Sequence, residues 1–346
     1  MGERLDTHSD TRVQARDIVR GRTIVTMIET ADRLAAMGMV VFLRSDLLAE
    51  GVSDKMIRSA LRRRDWVRVR RGAYAVTSTW ESLSEIERHI ATAHCVVRKA
   101  RTPVVLSHLT AAAIHRADIW EGDWSDVHLT RLDRKAGRAE AGVRQHRGRL
   151  RRKDIVTVGG LAVTAPTRTA LDVSTLMDVE HALVVADSLC HKQLTTPEAM
   201  RRRYSTMRHW PETLATELLL RLVDPAKESV GETRSGYLIW KQGLPAPVCQ
   251  YPIHDSAGHV FATVDFAWPE YGVFLEFDGK VKYEALLRDG ESPSDVVFRE
   301  KRREDRIREL TGWVCIRITW ADLFDPIGTA DRIRRILEAN LPDNVA

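Results

Sequence analysis

Two β-rich runs, 261–267 and 273–277, flank the turn-forming stretch Trp268-Pro269-Glu270-Tyr271-Gly272, and this spacing commits the carboxyl-terminal part of the chain to a β-hairpin. Alternation with period two places Val273, Leu275 and Phe277 on one face and Phe274, Glu276 and Asp278 on the other. A carboxylate inside so apolar a strand is costly to bury unless it is paired or bound to a metal ion. Asp265 lies on the first run, eleven residues before Glu276, so strand pairing brings the two carboxylates close together.

Two or three carboxylates suit a hard divalent cation such as Mg²⁺ or Mn²⁺, which takes oxygen ligands and keeps several waters. A lysine beside them activates an attacking water or steadies developing charge. The order Asp265, hairpin, Glu276-Phe277-Asp278-Gly279 resembles the PD-(D/E)XK nuclease superfamily, and especially its very-short-patch-repair-like endonuclease domains, over residues 228–325. Ser229-Val230-Gly231-Glu232, Gly243-Leu244-Pro245-Ala246-Pro247 and Gly312-Trp313-Val314-Cys315 extend the likeness on either side. The resemblance implies Asp265, Glu276, Asp278 and Glu232 as metal ligands, and Asp265, Glu276, Lys280 and Lys282 as the catalytic set. One departure stands out: the position two residues after the Glu, where the superfamily carries lysine, is Asp278, so the lysine has to come from Lys280 or Lys282. Metal-free readings exist for two of these residues. Glu232, three residues after Ser229, fits a capping box, and Asp278-Gly279 fits a turn.

The chain has 346 residues, 44% hydrophobic and 29% charged, which is ordinary for a globular protein of two or three domains. It offers no run of eighteen apolar residues and no signal-like amino terminus, so a cytoplasmic protein without membrane contact is expected. Cys95, Cys190, Cys249 and Cys315 are scattered singly, which argues against a zinc ribbon or disulfide framework and for small core residues. Charge is unevenly placed. Residues 51–75 carry eight basic side chains against two acidic, a local +6, and residues 131–153 carry ten against two, a local +8. With a net charge of +5, the remainder of the chain carries −9. Basic clusters on an otherwise acidic chain are the footprint of phosphate binding, and double-stranded DNA is the expected partner.

The first cluster falls on a helix-turn-helix pattern. Apolar spacing predicts a helix over 24–37, a second beginning after Ser45 as cap and stopping at Gly51, and a third over 55–63 capped by Ser53-Asp54. Two short strands, 66–69 and 73–76, joined by Arg70-Arg71-Gly72, then form a basic wing. Lys55, Arg58, Arg62, Arg63, Arg64, Arg68, Arg70 and Arg71, with Arg144 and Arg147 from the second cluster, are the expected DNA contacts. Gly51, Arg70-Arg71-Gly72 and Tyr74 resemble the amino-terminal domain of AbiEi-like antitoxins of type IV toxin-antitoxin systems. That resemblance implies transcription regulation and a cognate toxin protein as partner. A homodimer would follow from the two-fold sites such proteins read.

Between these regions, helices are expected near 83–97, 107–114, 167–176, 179–190, 197–204 and 212–223, and strands at 104–106, 126–130 and 142–146. Residues 156–163 read as a hairpin turning on Gly159-Gly160. Ser107-His108-Leu109-Thr110-Ala111-Ala112, Gly159 to Thr164 and Arg168-Thr169-Ala170-Leu171-Asp172 resemble the body of AbiEi-like proteins. Ser107, His108 and Asp172 are read as a helix cap, a first-turn residue and a helical residue, because no nucleophile elbow surrounds them. The fold class is α/β (α+β): a winged helix-turn-helix at 22–80, a mixed α/β middle at 81–226 containing the basic loop 131–153, and a restriction-endonuclease-like α/β domain at 227–341. Two functions from different classes fit this chain, a Mg²⁺- or Mn²⁺-dependent DNA endonuclease and a DNA-binding regulator built on a nuclease-like fold that no longer cuts.

Overall fold

A computed structural model describes residues 40–133, 139–207, 213–279 and 293–341. The expected helix 24–37 lies outside the described residues. The chain divides into two compact units, one of Met1–Thr110 with Asp123–Val163, the other of Ala111–Gly122 with Thr164–Ala346. These cut the chain elsewhere than the sequence partition at 80 and 226, because the helices after residue 164 pack with those after 229.

In the first unit, strand β1 (Phe42–Leu43) leads into helix α1 (Arg44–Ala49), then α2 (Asp54–Arg63) and the strands β2 (Trp66–Arg70) and β3 (Ala73–Val76). The sheet order is β1-β3-β2, so two helices and a hairpin form the winged helix. Ser45 does not cap α1: it lies inside the helix, and the Leu43 N–H donates instead to Asp46 Oδ2 at 3.0 Å. Arg98 donates both guanidinium arms to the same carboxylate at 2.9 and 2.8 Å, so a residue 52 positions away fixes the cap. Gly51, at φ +81°, ends α1 in the left-handed region that glycine enters without strain. Ser53 caps α2 as expected, accepting the Met56 N–H at 3.4 Å. Phe42, Leu47, Val52, Ile57, Ala60, Trp66 and Tyr74 form the small core beneath.

Helices α3 (Thr77–Ser82) and α4 (Glu85–Lys99) follow, the latter opened by a Ser84/Glu87 capping box. Strand β4 (Val104–Leu106), helix α5 (His108–Ile114) and strands β5 (Val127–Arg131), β6 (Val143–His146), β7 (Ile155–Val158) and β8 (Leu161–Thr164) come next. They build a mixed sheet of order β6-β5-β4-β8-β7. β5 runs parallel to β6 and antiparallel to β4, while β4 meets β8 in parallel at Leu106 and Val163. Gly159 and Gly160, at φ +54° and +78°, make the two-residue link that the sequence pattern called for.

The second unit carries helices α6 (Pro166–Val173), α7 (Val179–His191), α8 (Pro197–Tyr204), α9 (Leu214–Leu222) and α10 (Val230–Lys241). Leu171, Leu183, Leu189, Met200 and Leu219 anchor their shared core. Helix α7 is buried over Ala182 to Cys190, because it is wrapped by α6, α9 and α10. Strands β9 (Val248–His254), β10 (Val260–Trp268) and β11 (Val273–Asp278), helix α11 (Pro293–Thr311), strand β12 (Val314–Thr319) and helices α12 (Trp320–Phe324) and α13 (Pro326–Ala339) complete it. The sheet order is β12-β11-β10-β9, with β11 parallel to β12. The alternation of β11 is realised: Val273, Leu275 and Phe277 join one core and Phe274 another on the opposite side. Gly231 lets α10 rest on β11, since a Cβ there would stand 2.0 Å from the Phe277 ring. Cys95, Cys190, Cys249 and Cys315 are free, and burial pushes their thiols up to about 11 or 12.

Candidate functional site

Lys55, Arg58 and Arg62 recur at three- and four-residue spacing along α2, so they share one exposed helix face, while Ile57 and Ala60 on the other are buried. Asp54, at the start of that helix, is held by Arg44, whose Nε donates at 2.8 Å, so this acid is already matched. Arg64 is exposed at the helix end with φ +62°, and Arg68 and Arg71 are exposed on the hairpin. Arg63 is exposed but folded back on Asp65 and Ser59, at 2.8 and 3.1 Å. Arg70 differs from its neighbours: it is half-buried, and its Nη2 donates to the Ala141 carbonyl at 2.7 Å. In the second basic cluster Arg144 and Arg147 are exposed, and Arg144 lies 3.3 Å from Asp126. The structure thus gathers Lys55, Arg58 and Arg62 on one surface and sets Arg70 apart from it.

The mixed sheet of the same unit holds a polar network that sequence spacing does not announce. His128 Nδ1 lies 2.9 Å from His146 Nε2, the rings of His108 and His146 stack at 3.6 Å, and Ser107 Oγ is 2.9 Å from both His108 Nδ1 and the Thr130 hydroxyl that donates to it. The parallel register of β5 and β6 brings residues sixteen apart together, His128 facing Arg144 and Thr130 facing His146. Burial, reinforced by the neighbouring imidazole and Arg144, pushes His128 down to about 3, and burial with Arg144 pushes His146 down to about 4. Both are therefore neutral in the fold at pH 7 while the unfolded chain protonates them below about 6.5. Stability is full above that pH and is lost as pH falls toward the folded values, by about 4 kcal/mol at pH 5 for the pair. Asp187, which burial pushes up to about 6, works the other way. Urea unfolding at pH 7.5 and 5.0 should therefore show a smaller pH-induced loss in the His128→Gln/His146→Gln chain than in the parent; equal losses would refute the assignment.

In the second unit the hairpin brings the expected carboxylates together. Asp265 Oδ2 accepts the Phe277 N–H at 2.8 Å, and Glu276 and Asp278 project from the same face of β11. Cations of this chain meet them there. Arg303 donates to Glu276 Oε1 at 3.0 Å, and Arg317, the parallel register partner of Glu276, lies 3.6 Å from Asp278. Arg317 also donates to Glu304 at 2.6 Å, so carboxylates and guanidiniums alternate across β11, β12 and α11. Glu232 is buried, and both of its oxygens are engaged: Ser229 Oγ donates at 2.7 Å, and the Glu228 N–H and Gln250 Nε2 donate at 2.9 Å each. Ser229 caps α10 by accepting the Glu232 N–H at 3.2 Å, but the Glu232 carboxylate takes the Glu228 N–H in place of the Ser229 N–H, so the reciprocal capping box is not closed. Lys280 and Lys282 lie outside the described residues. Among the described residues no group of three or more His, Cys, Asp or Glu is placed to hold a metal ion. The pairing of Arg303 and Arg317 with β11 is not legible in the sequence, because no local spacing ties either one to that strand.

Residues 29–77 match the family described as "Transcriptional regulator, AbiEi antitoxin". The chain is similar to two proteins of Mycobacterium tuberculosis, "Uncharacterized protein MT2308" of strain CDC 1551 and "Uncharacterized protein Rv2248" of strain ATCC 25618. Each is 29% identical over 182 residues, which is 52% of this chain and 64% of the relative. The match thus spans less than two thirds of those relatives' length. Among the described residues no helix is long and apolar enough to cross a membrane.

Proposed function

We propose that this chain is a DNA-binding transcription regulator of the antitoxin type, which reads duplex DNA through α2 and its wing. The observation that carries the reading is the exposed Lys55, Arg58 and Arg62 face on the second helix of a helix-turn-helix, inside the segment that matches the regulator family. In this geometry α2 enters the major groove, Arg68 and Arg71 meet flanking phosphates, and the phosphate contacts fix register while base edges supply specificity. A cognate toxin protein and a second copy of the chain are the protein partners that belong with this role. Fluorescence anisotropy with a labelled duplex taken from upstream of the protein's own gene tests it: saturable binding that weakens with salt is expected, and salt-independent or absent binding would overturn it.

The second reading, a Mg²⁺- or Mn²⁺-dependent endonuclease, is favoured by one observation, the convergence of Asp265, Glu276 and Asp278 on paired strands. Against it stand Arg303 and Arg317, which already pair with Glu276 and Asp278. The regulator reading expects supercoiled plasmid to stay intact with either metal at millimolar concentration. Nicking by the parent chain that Glu276→Gln removes would establish the endonuclease instead.

A further inference from the structure

The first unit contains a half-open cavity of about 670 Å³ whose walls come from the wing, the end of α4 and the strands β4, β5 and β6. Five cations, Arg70, Arg71, Lys99, Arg101 and Arg131, line it against a single acid, Glu140. Arg131 is already paired with Asp133, whereas Lys99 Nζ donates one of its three protons to the Arg71 carbonyl at 2.6 Å and keeps its charge. Arg70 is different. One arm of its guanidinium donates to Ala141, while Nη1 is buried with no hydrogen-bond partner among the described residues. A guanidinium does not deprotonate in a protein, so this donor stays charged, and burying it unsatisfied is unfavourable. Arg70 is itself a lining residue of the cavity, so its charge acts on an anion that enters it.

Val69, Val96, Leu129 and Val143 give the same space an apolar side, with Thr102 and Gln145 beside them. A volume of this size falls in the range of small-ligand sites, and cations above an apolar floor suit a ligand that carries phosphates on a flat apolar body. A duplex meets a convex surface such as α2 and does not fill a concavity. We propose that this cavity binds a nucleoside di- or triphosphate, with Arg70 as the central phosphate ligand and Lys99 and Arg101 beside it. Because Arg70 and Arg71 belong to the wing, occupancy reaches the element that flanks α2; that link rests on the regulator reading, whereas binding itself does not.

Calorimetric titration of the full chain at 0.15 M NaCl, with ADP and with pyrophosphate as probes, tests the assignment. ADP is expected to bind, and Arg70→Ala and Lys99→Ala should each weaken it roughly tenfold or more. Arg335→Ala, on an exposed helix position of the other unit, removes the same charge and should leave affinity unchanged. If Arg70→Ala is unstable by its thermal midpoint, the Lys99→Ala/Arg101→Ala chain provides the same reading. No binding of ADP, or equal affinity for ADP and pyrophosphate, overturns the nucleotide site. So does a loss of duplex affinity in Arg70→Ala without any ADP binding in the parent, which would make Arg70 part of the DNA surface. Retained ADP binding alongside failed duplex binding would overturn the regulator reading and leave this site standing.

Discussion

Replacing Lys55, Arg58 and Arg62 together by alanine is expected to lower duplex affinity about 100-fold at 0.15 M salt and to flatten the dependence of log K on log salt by about 3 units. The estimate follows from counterion release: each phosphate neutralised adds roughly 0.9 to that slope, and near-physiological salt leaves most of a decade of affinity per contact. All three side chains are exposed on one face of α2, and their truncation leaves Ile57 and Ala60 in place. Surface substitutions of this kind change stability by about 0.5 kcal/mol or less, so binding is read without unfolding. The neighbouring acid Asp54 is held by Arg44 and does not quench the face. A slope unchanged within error would assign α2 to protein contact and remove the strongest support for the regulator reading.

Arg168→Met is expected to destabilise the second unit by roughly 3–5 kcal/mol. Arg168 Nε donates to Asp172 Oδ1 at 2.6 Å one turn along α6, and the two side chains are only 2% and 4% exposed. The methionine approximates the volume of the arginine stem, so the loss comes from a carboxylate left buried without its cation. Asp172→Asn in the same chain removes that charge and should restore a large part of the loss. Urea midpoints at constant m-value measure both steps. A loss under about 1 kcal/mol in the single variant, or no recovery in the double, would show that the pair contributes little.

Local chemistry made much of this fold readable. Ser53 beside Asp54, glycine at 51, the Gly159-Gly160 link and the period of 273–278 each encode their own element within a few residues, and the structure places each where its chemistry requires. Features set by distant partners were not readable. Asp46 caps α1 with Arg98 from 52 residues away, Arg303 reaches Glu276 across 27, and the histidine network depends on the register of β5 and β6. Arg70 shows the same limit within one motif. Sequence groups it with the wing arginines as one basic tip, and only the fold turns its guanidinium toward Ala141 and the cavity.

The interleaving of the two units has a consequence for synthesis. Residues 111–122 leave the ribosome before the strands that close the first unit, yet Ala112 and Ala117 belong to the core built with residues 170–223. At roughly 5–20 residues per second, that apolar segment waits several seconds for its helices to emerge. During that interval a holdase or a neighbouring nascent chain has access to it, and a single cut between residues 122 and 164 would leave the same stretch without its core.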